Sequence, residues 1–214
     1  MSLRSVGFDR VAEPYQLLEY LTLGKVLENT RFHFLHQIKD VRNALVLGDG
    51  DGRFLAKLFR ANPAVHATAV DNSGEMLRLL QRRCQPYADR LTTVQSDVLS
   101  FSAEANEQYD LVTTHFFLDC LRQEEVESLT QYLCPLLAPS AMWIVSEFRI
   151  ASGTMRMPSW LLVRFLYLTF RILTGLQTSR LPNYTAALSQ AGFVRREQKL
   201  FLAGILTSEL WQLP

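Results

Sequence analysis

Short apolar runs and helical repeats of apolar residues alternate along most of this chain. Five strands are predicted where apolar residues run together, at residues 44–47, 65–70, 91–95, 109–115 and 141–146. Helices are predicted between them where apolar residues recur at helical spacing, at 54–61, around 76–84 and at 124–137. This alternation predicts a parallel sheet with right-handed crossovers and helices on both of its faces.

The two ends of the chain depart from that alternation. Apolar residues at helical spacing over 11–38 predict two helices that are separated near Gly24. Residues 160–175 predict an apolar helix, but Arg164 and Arg171 interrupt it, and the run is shorter than the ~20 apolar residues of a membrane span, so no integral membrane segment is predicted. A short helix and two adjacent strands follow, at 184–192, 193–201 and 202–210.

Composition narrows the class of protein. The chain has 214 residues, of which 48% are hydrophobic and 20% charged, which predicts one globular domain with a sizeable core. With 22 basic and 21 acidic residues it has no charge excess that would indicate a nucleic-acid partner. Its three cysteines form no CxxC pair and the N-terminus has no long apolar segment, so we expect reduced thiols, no metal site, no secretory signal and a cytoplasmic protein.

The stretch 44–54, Ala-Leu-Val-Leu-Gly-Asp-Gly-Asp-Gly-Arg-Phe, predicts a strand, a tight glycine loop and a helix N-terminus. A dinucleotide fingerprint would need a third glycine where Arg53 or Leu55 stands, and no Gly-Lys-Ser/Thr phosphate loop is present, so a nicotinamide-dependent oxidoreductase is disfavoured. The acids Asp49 and Asp51 suit a ligand with positive charge better than a pyrophosphate.

These residues resemble the first motif of the class I S-adenosylmethionine-dependent methyltransferases. Other matching features are a Tyr-Asp-Leu-Val strand with an aromatic segment after it and an Ala-Gly-Phe before the C-terminal hairpin. The resemblance implies a Rossmann-like, doubly wound α/β/α fold, with a seven-stranded, mostly parallel sheet and an antiparallel C-terminal strand. It also implies methyl transfer from S-adenosylmethionine to a small-molecule acceptor, with S-adenosylhomocysteine as the product.

On this resemblance residues 1–214 are one methyltransferase domain. Its expected parts are an N-terminal helical lid, a cofactor-binding core, a helical insertion, and a C-terminal helix with a β-hairpin, at 1–40, 41–150, 151–181 and 182–214. Lid helices in this family close over the cofactor, which makes Tyr15, Tyr20 and Arg31 candidate lid residues.

Two strand ends carry acids at the expected places. Asp71 lies 19 positions after Gly52, close to the separation at which an acid binds a ribose, although it or Ser73 would also serve as a helix cap. Asp97 follows the third strand, where the family places a carboxylate on the adenine amino group. The resemblance gives as cofactor-binding residues Gly48, Asp49, Gly50, Gly52, Asp71, Asn72, Met76, Asp97, Val98, His115 and Phe116.

The end of the fourth strand supplies the candidates for catalysis. If the acceptor is a hydroxyl or an acidic carbon, a base is needed, and His115 is the candidate, with Asp119 or Glu147 nearby in chain order. We take His115 and Asp119 as the catalytic residues. A histidine at a strand end is also often a satisfied neutral group, and an amine or thiolate acceptor would need positioning alone.

One residue departs from the family pattern. The family has an acid two residues before the first glycine, where it helps to hold the cofactor's amino group, and this chain has Val46 there. Asp49 or Asp51 would then supply the charge, or backbone carbonyls would suffice. The departure motivates a second hypothesis, an inactive methyltransferase-like protein that binds S-adenosylmethionine as a sensor or assembly partner.

The insertion has two interpretations. It is either a helix packed under the lid, or an apolar wall for a hydrophobic acceptor or a patch for a membrane or a second subunit, so a homodimer is left open.

Overall fold

The computed structural model describes residues 24–103, 108–174, 178 and 180–214, with the side chains of 169–174 left aside. The predicted first helix, together with Tyr15 and Tyr20, lies outside these residues. The described residues form one seven-stranded sheet in the order β3-β2-β1-β4-β5-β7-β6. The strands are β1 (Asn43–Leu47), β2 (His66–Asp71), β3 (Leu91–Gln95), β4 (Tyr109–His115), β5 (Leu137–Phe148), β6 (Val194–Phe201) and β7 (Leu206–Gln212).

Helices cover both faces of the sheet. They are α1 (Gly24–Phe32), α2 (Arg53–Ala61), α3 (Gly74–Arg83), α4 (Gln123–Leu133), α5 (Arg156–Thr174) and α6 (Tyr184–Gln190). One core cluster packs α2 and α3 against the sheet through residues such as Leu58 and Leu80. The other packs α4 and α6 against the opposite face through residues such as Leu129 and Leu188. The predicted three-layer α/β/α arrangement is thus confirmed.

The C-terminal hairpin closes the sheet as the resemblance implied. β7 inserts between β5 and β6 and runs antiparallel to both, while β1 to β5 pair in parallel. The predicted last strand at 202–210 begins too early, because residues 202–204 form the turn of the hairpin. Leu202 and Ala203 there have positive φ angles, and a strand does not accommodate that conformation.

The predicted boundary between the fourth helix and the fifth strand is also wrong. The helix ends at Leu133 and the strand begins at Leu137, four residues before the predicted start. Pro135 accounts for the early end of the helix, since it cannot donate a backbone hydrogen bond to the preceding turn.

The strand order reverses between β1 and β4. The chain runs outward from β1 through β2 to β3, and then returns to build β4 on the other side of β1. In open α/β sheets a crevice opens at this point, outside the carboxyl ends of the strands. The glycine loop after β1 and the aromatic segment after β4 therefore meet at one edge of the sheet.

Candidate functional site

The three glycines of the loop after β1 have different surroundings, although all have positive φ angles. A Cβ on Gly48 would lie 2.3 Å from Cδ2 of Phe117, and a Cβ on Gly52 would lie 2.8 Å from Cγ of Leu80. Among the described residues, a Cβ on Gly50 would meet only the sulfur of Met76, at 3.9 Å. Gly48 and Gly52 are therefore needed for packing, whereas Gly50 leaves open backbone at the carboxyl edge of the sheet.

The two acids of the loop are directed into the protein. The Asp49 carboxylate accepts the N–H groups of Leu55 (3.0 Å) and Phe54 (3.4 Å), which begin α2. Burial raises the pKa of Asp49 to about 7, against the Arg31 charge and these two N–H groups, which favour the ionised form. The Asp49 side chain thus caps the N-terminus of α2, whose N-cap residue, Gly52, has no side chain that could do so.

The side chain of Asp51 is held by two arginines. Its Oδ2 accepts from Arg53 Nε at 3.0 Å and from Arg83 Nη2 at 2.6 Å. The Arg83 Nε also donates to the Asp51 carbonyl at 2.8 Å, which ties the loop to α3. Asp51 therefore braces the loop, and its charge is already matched within the protein.

The strand-end acids lie at the ends of β2 and β3, as predicted. Asp71 Oδ1 accepts the N–H of Ser73 at 2.9 Å, and Asp97 Oδ1 accepts the N–H of Leu99 at 3.0 Å. Each carboxylate is thus fixed by a backbone donor two residues later. Ser73 in turn caps α3 by accepting the N–H of Met76, so capping and a carboxylate at the strand end coexist here.

The other predicted cofactor residues on this side differ in burial. Met76 and Val98 are buried, and the Met76 sulfur lies beside Gly50. Asn72 is exposed directly after Asp71. The carboxyl edge of β1, β2 and β3 therefore combines open backbone at Gly50, apolar side chains and the two fixed carboxylates of Asp71 and Asp97.

His115, the last residue of β4, is enclosed. Only 3% of it is exposed, its ring lies 4.4 Å from that of Phe54, and its Nδ1 pairs with Ser146 Oγ at 2.9 Å. Its Nε2 is buried and has no hydrogen-bond partner in the described part of the chain. Burial, followed by the positive charge of Arg31, lowers the pKa of His115 well below its ordinary value, so the ring is neutral at pH 7.

Phe116, directly after β4, carries backbone strain. Its φ angle is +56°, in a region that residues other than glycine seldom adopt. Its ring lies 5.3 Å from that of Phe148, and the guanidinium carbon of Arg31 lies 5.7 Å from its centroid. The main chain therefore turns sharply at the switch point and presents an aromatic ring there.

The loop after β4 also encloses a buried carboxylate from β5. Oε1 of Glu147 accepts the N–H groups of Phe117 (3.0 Å) and Leu118 (2.7 Å), whereas no described residue hydrogen-bonds to Oε2. Burial, and then the Asp119 carboxylate, raise the pKa of Glu147 well above its ordinary range. Burial likewise raises the pKa of Asp119 to about 6. Burial thus favours the protonated form of both carboxyl groups.

Two further residues close this part of the site. The hydroxyl of Tyr167, on α5, donates to the Asp119 carbonyl at 2.9 Å. The thiol of Cys120 donates to Asp119 Oδ1 at 3.6 Å, and burial raises the pKa of that thiol well above its ordinary value. Asp119 is thus held between β4 and the inserted helix.

Sequence reasoning missed part of this arrangement. It named Glu147 only as a neighbour in chain order, and it gave Phe117 and Tyr167 no role. The position of Glu147 at the end of the fifth strand is a signal that would have found it. The contact of Tyr167 depends on how α5 packs, and no local pattern reports it.

A second cleft lies at the opposite edge of the sheet. It has a volume of about 280 Å³ and is lined by residues at the amino ends of the strands, among them Asn43, His66 and Tyr109. The guanidinium of Arg90 there donates to four backbone carbonyls, of residues 59, 62, 63 and 65. The Arg90 guanidinium therefore has a structural role, because it holds backbone carbonyls together. The candidate cofactor site lies at the other edge of the sheet, at the carboxyl ends of the strands.

Comparison with known proteins agrees with this geometry. A family model described as a methyltransferase domain matches residues 44–140. No curated protein sequence matches the chain.

Solved structures share the fold. The N-methyltransferase NodS from Bradyrhizobium japonicum WM9, solved with S-adenosylhomocysteine, is 17% identical and aligns over 88% of each chain with a TM-score of 0.64. The mitomycin 7-O-methyltransferase MmcR is 15% identical and has a TM-score of 0.71, and the alignment covers 97% of this chain and 60% of that one. The pyocyanin biosynthetic protein PhzM is 16% identical with a TM-score of 0.63, over 87% of this chain and 55% of its own.

At these identities the neighbours establish the fold alone, and the family model matches residues 44–140. The glycine loop after β1, the acids after β2 and β3 and the inserted strand β7 all lie where the class I pattern places them. Residues 44–140 therefore match a methyltransferase-domain model, and the described chain has the fold of the solved methyltransferases.

Proposed function

We propose that this protein transfers a methyl group from S-adenosylmethionine to a small, hydrophobic acceptor. The observation that carries the proposal is the open backbone at Gly50, beside the fixed carboxylates of Asp71 and Asp97. A bound cofactor supplies an electrophilic methyl group on a positively charged sulfur. The remaining steps depend on what the residues around it bind, orient and deprotonate.

The cofactor would be held along the carboxyl edge of β1, β2 and β3. Gly50 permits close approach to the main chain, Asp71 would accept hydrogen bonds from ribose hydroxyls, and Asp97 would accept one from the adenine amino group. Met76 and Val98 supply apolar contacts for the ring. Asp49 contributes through its backbone in this proposal, since its carboxylate already caps α2.

The end of β4 would hold the acceptor. Phe116 and Phe148 present aromatic rings there, and aromatic faces also favour a neighbouring sulfonium. Asp119 lies on the loop after β4 and Glu147 near the end of β5, and burial raises the pKa of both carboxyl groups. A carboxylate with a pKa near 6 is a suitable base for an acidic hydroxyl, so we assign proton removal to Asp119, with Glu147 as the group that tunes it.

His115 is the second candidate base. No described residue hydrogen-bonds to its Nε2, and its ring is neutral, as a base requires. However, the ring is buried and packs against the Phe54 ring. We therefore expect replacement of His115 to lower turnover less than replacement of Asp119.

An inactive S-adenosylmethionine-binding protein is the alternative function. It is favoured by Val46, which is buried within β1 and places no carboxylate beside the loop. The two functions differ in turnover and share the binding site.

The test is transfer of labelled methyl groups from S-adenosylmethionine to a panel of apolar phenols and amines. Among the neighbours, NodS is an N-methyltransferase and MmcR an O-methyltransferase, so the panel needs both acceptor atoms. We expect transfer to a phenol that Asp119→Asn lowers at least about a hundredfold, with unchanged affinity for S-adenosylhomocysteine. Binding of S-adenosylhomocysteine without transfer to any acceptor would favour the inactive alternative.

A further inference from the structure

The inserted helix α5 has two faces with different surroundings. Its inner face carries Ser159, Val163 and Tyr167, which are four residues apart and buried. The Ser159 hydroxyl accepts the N–H of Ala151 at 3.0 Å, and the Tyr167 hydroxyl donates to the Asp119 carbonyl. These contacts hold the helix beside the candidate acceptor site.

The outer face of α5 is apolar and exposed. Met157, Trp160, Leu161 and Leu168 recur at helical spacing and are each between 47% and 73% exposed. Arg164 lies among them, with its guanidinium 5.6 Å from the centroid of the Trp160 ring. An exposed apolar face of this kind marks an interaction surface.

The charge of the surrounding stretch indicates which partner fits. Residues 148–194 contain five arginines and no Lys, Asp or Glu, in a chain whose 22 basic and 21 acidic residues nearly balance. A second copy of the protein would bring its own Arg164 against this face, and like charges repel. An anionic lipid surface complements both the arginines and the apolar side chains.

The dimensions of α5 agree with a helix that lies on a bilayer. Among the helices that the structure describes, none is long and apolar enough to cross a membrane. α5 has 19 residues with Arg164 near its middle, which favours an orientation in the plane of the headgroups. Tryptophan and arginine are typical of that boundary, since each combines an apolar body with a polar end.

We propose that α5 docks the protein on an anionic phospholipid bilayer through Met157, Trp160, Leu161, Arg164 and Leu168. The same helix contacts Asp119 from its inner face, so docking brings the candidate acceptor site to the membrane surface. If the proposed methyl transfer also holds, on which this last step rests, the acceptor is an apolar molecule dissolved in the bilayer.

The test is co-sedimentation of the full chain with vesicles of phosphatidylcholine alone and of phosphatidylcholine mixed with phosphatidylserine. We expect binding to the mixed vesicles that weakens as salt is raised, and much weaker binding to phosphatidylcholine. Leu161→Glu should weaken binding about tenfold or more, because it removes an apolar contact and adds a repelled charge. Arg164→Gln should weaken it about fivefold.

The matched control is Leu200→Glu, which changes an exposed leucine on β6 in the same way. It should leave vesicle binding unchanged, and circular dichroism should show all variants folded. Equal loss in Leu161→Glu and Leu200→Glu would overturn the proposal. The proposal would also be overturned if the folded wild-type protein did not bind anionic vesicles. A wild-type dimer that Leu161→Glu dissociates would overturn it as well.

Titration with S-adenosylhomocysteine separates this proposal from the proposed function. Leu161→Glu should bind it with wild-type affinity, because the outer face of α5 does not contact the cofactor edge. Vesicle binding without S-adenosylhomocysteine binding would contradict the methyltransferase proposal and leave the docking surface standing.

Discussion

Two buried glutamates on neighbouring strands, Glu147 on β5 and Glu209 on β7, have opposite surroundings. Glu209 is 2% exposed, and both of its oxygens accept hydrogen bonds, Oε2 from the Trp211 indole at 3.0 Å and Oε1 from donors that include Gln198 and Tyr184. Glu147 is 1% exposed, and its Oε2 has no hydrogen-bond partner among the residues that the structure describes.

The difference separates two regions of the molecule. At the antiparallel end of the sheet, a buried charge is matched by donors from three elements, as stable burial requires. At the carboxyl edge of the sheet, the protein keeps an incompletely paired carboxylate on β5, a strained Phe116 after β4 and an open Gly50 after β1. Unpaired groups and strain of this kind are typical of sites that receive a ligand.

The largest effect is expected at Gly48. Gly48→Ala would place a methyl group against the Phe117 ring at a positive φ angle, and we expect a loss of about 3 kcal/mol or more in the free energy of unfolding. Gly153→Ala is the matched control, because Gly153 has φ +64° and no atom within 4 Å of its added Cβ. Thermal unfolding should show only the conformational cost there, about 1–2 kcal/mol. Similar losses in both variants would contradict the packing role of Gly48.

The comparison itself is tested by Glu209→Gln and Glu147→Gln. Glu209→Gln replaces an acceptor with an amide N–H₂ group that faces donors, and should lower the free energy of unfolding by about 2–4 kcal/mol. Glu147→Gln removes a carboxyl group whose pKa burial raises, keeps one acceptor for the N–H groups of Phe117 and Leu118, and should leave stability within about 1 kcal/mol of wild type. Chemical denaturation measures both.

Equal destabilisation by the two substitutions would show that Glu147 is as structural as Glu209. In the methyl-transfer assay only Glu147→Gln should lower turnover, and a normal rate in that variant would remove Glu147 from the proposed mechanism.

Two acids of the carboxyl edge, Asp71 and Asp49, should likewise differ, one acting in ligand binding and the other in stability. Asp71→Ala should weaken S-adenosylhomocysteine binding about tenfold or more, because it removes the proposed ribose acceptor. Asp49→Ala should weaken binding less and lower the free energy of unfolding by about 1 kcal/mol, since the first N–H groups of α2 lose their acceptor. Calorimetric titration and thermal unfolding of both variants separate the two roles. Equal or reversed losses of affinity would mean that this assignment is wrong.

The smallest effect is a pH dependence at Asp49. The folded protein raises the pKa of this group from an ordinary value near 3.8 to about 7, so the folded state binds the proton more tightly than the unfolded chain. Stability from this group is complete below about pH 4 and is lost as the pH rises through 7. Wild type should therefore lose about 1 kcal/mol or more relative to Asp49→Asn between pH 4 and pH 8, as measured by Tm. A constant difference between the two proteins would contradict this.

Local patterns predicted the sheet, the glycine loop and the positions of Asp71 and Asp97, because strand periodicity and loop residues determine where parallel strands end. They did not distinguish Gly50 from Gly48, since that difference depends on Phe117, which approaches from another loop. They also gave Asp51 as a candidate to supply charge to a ligand. In the structure, the guanidinium of Arg83, 32 residues later in the sequence, donates a hydrogen bond to the Asp51 carboxylate. The unpartnered Oε2 of Glu147 likewise depends on contacts distant in sequence.

Isothermal titration of the purified chain, freed of any co-purified ligand, with S-adenosylmethionine, S-adenosylhomocysteine and NAD tests the central claim most directly. We predict that the first two bind, that NAD does not, and that Gly50→Ala weakens the affinity for both while unfolding at the same temperature as Gly153→Ala. A folded protein that binds neither S-adenosylmethionine nor S-adenosylhomocysteine would contradict the assignment of the carboxyl edge as a methyltransferase site.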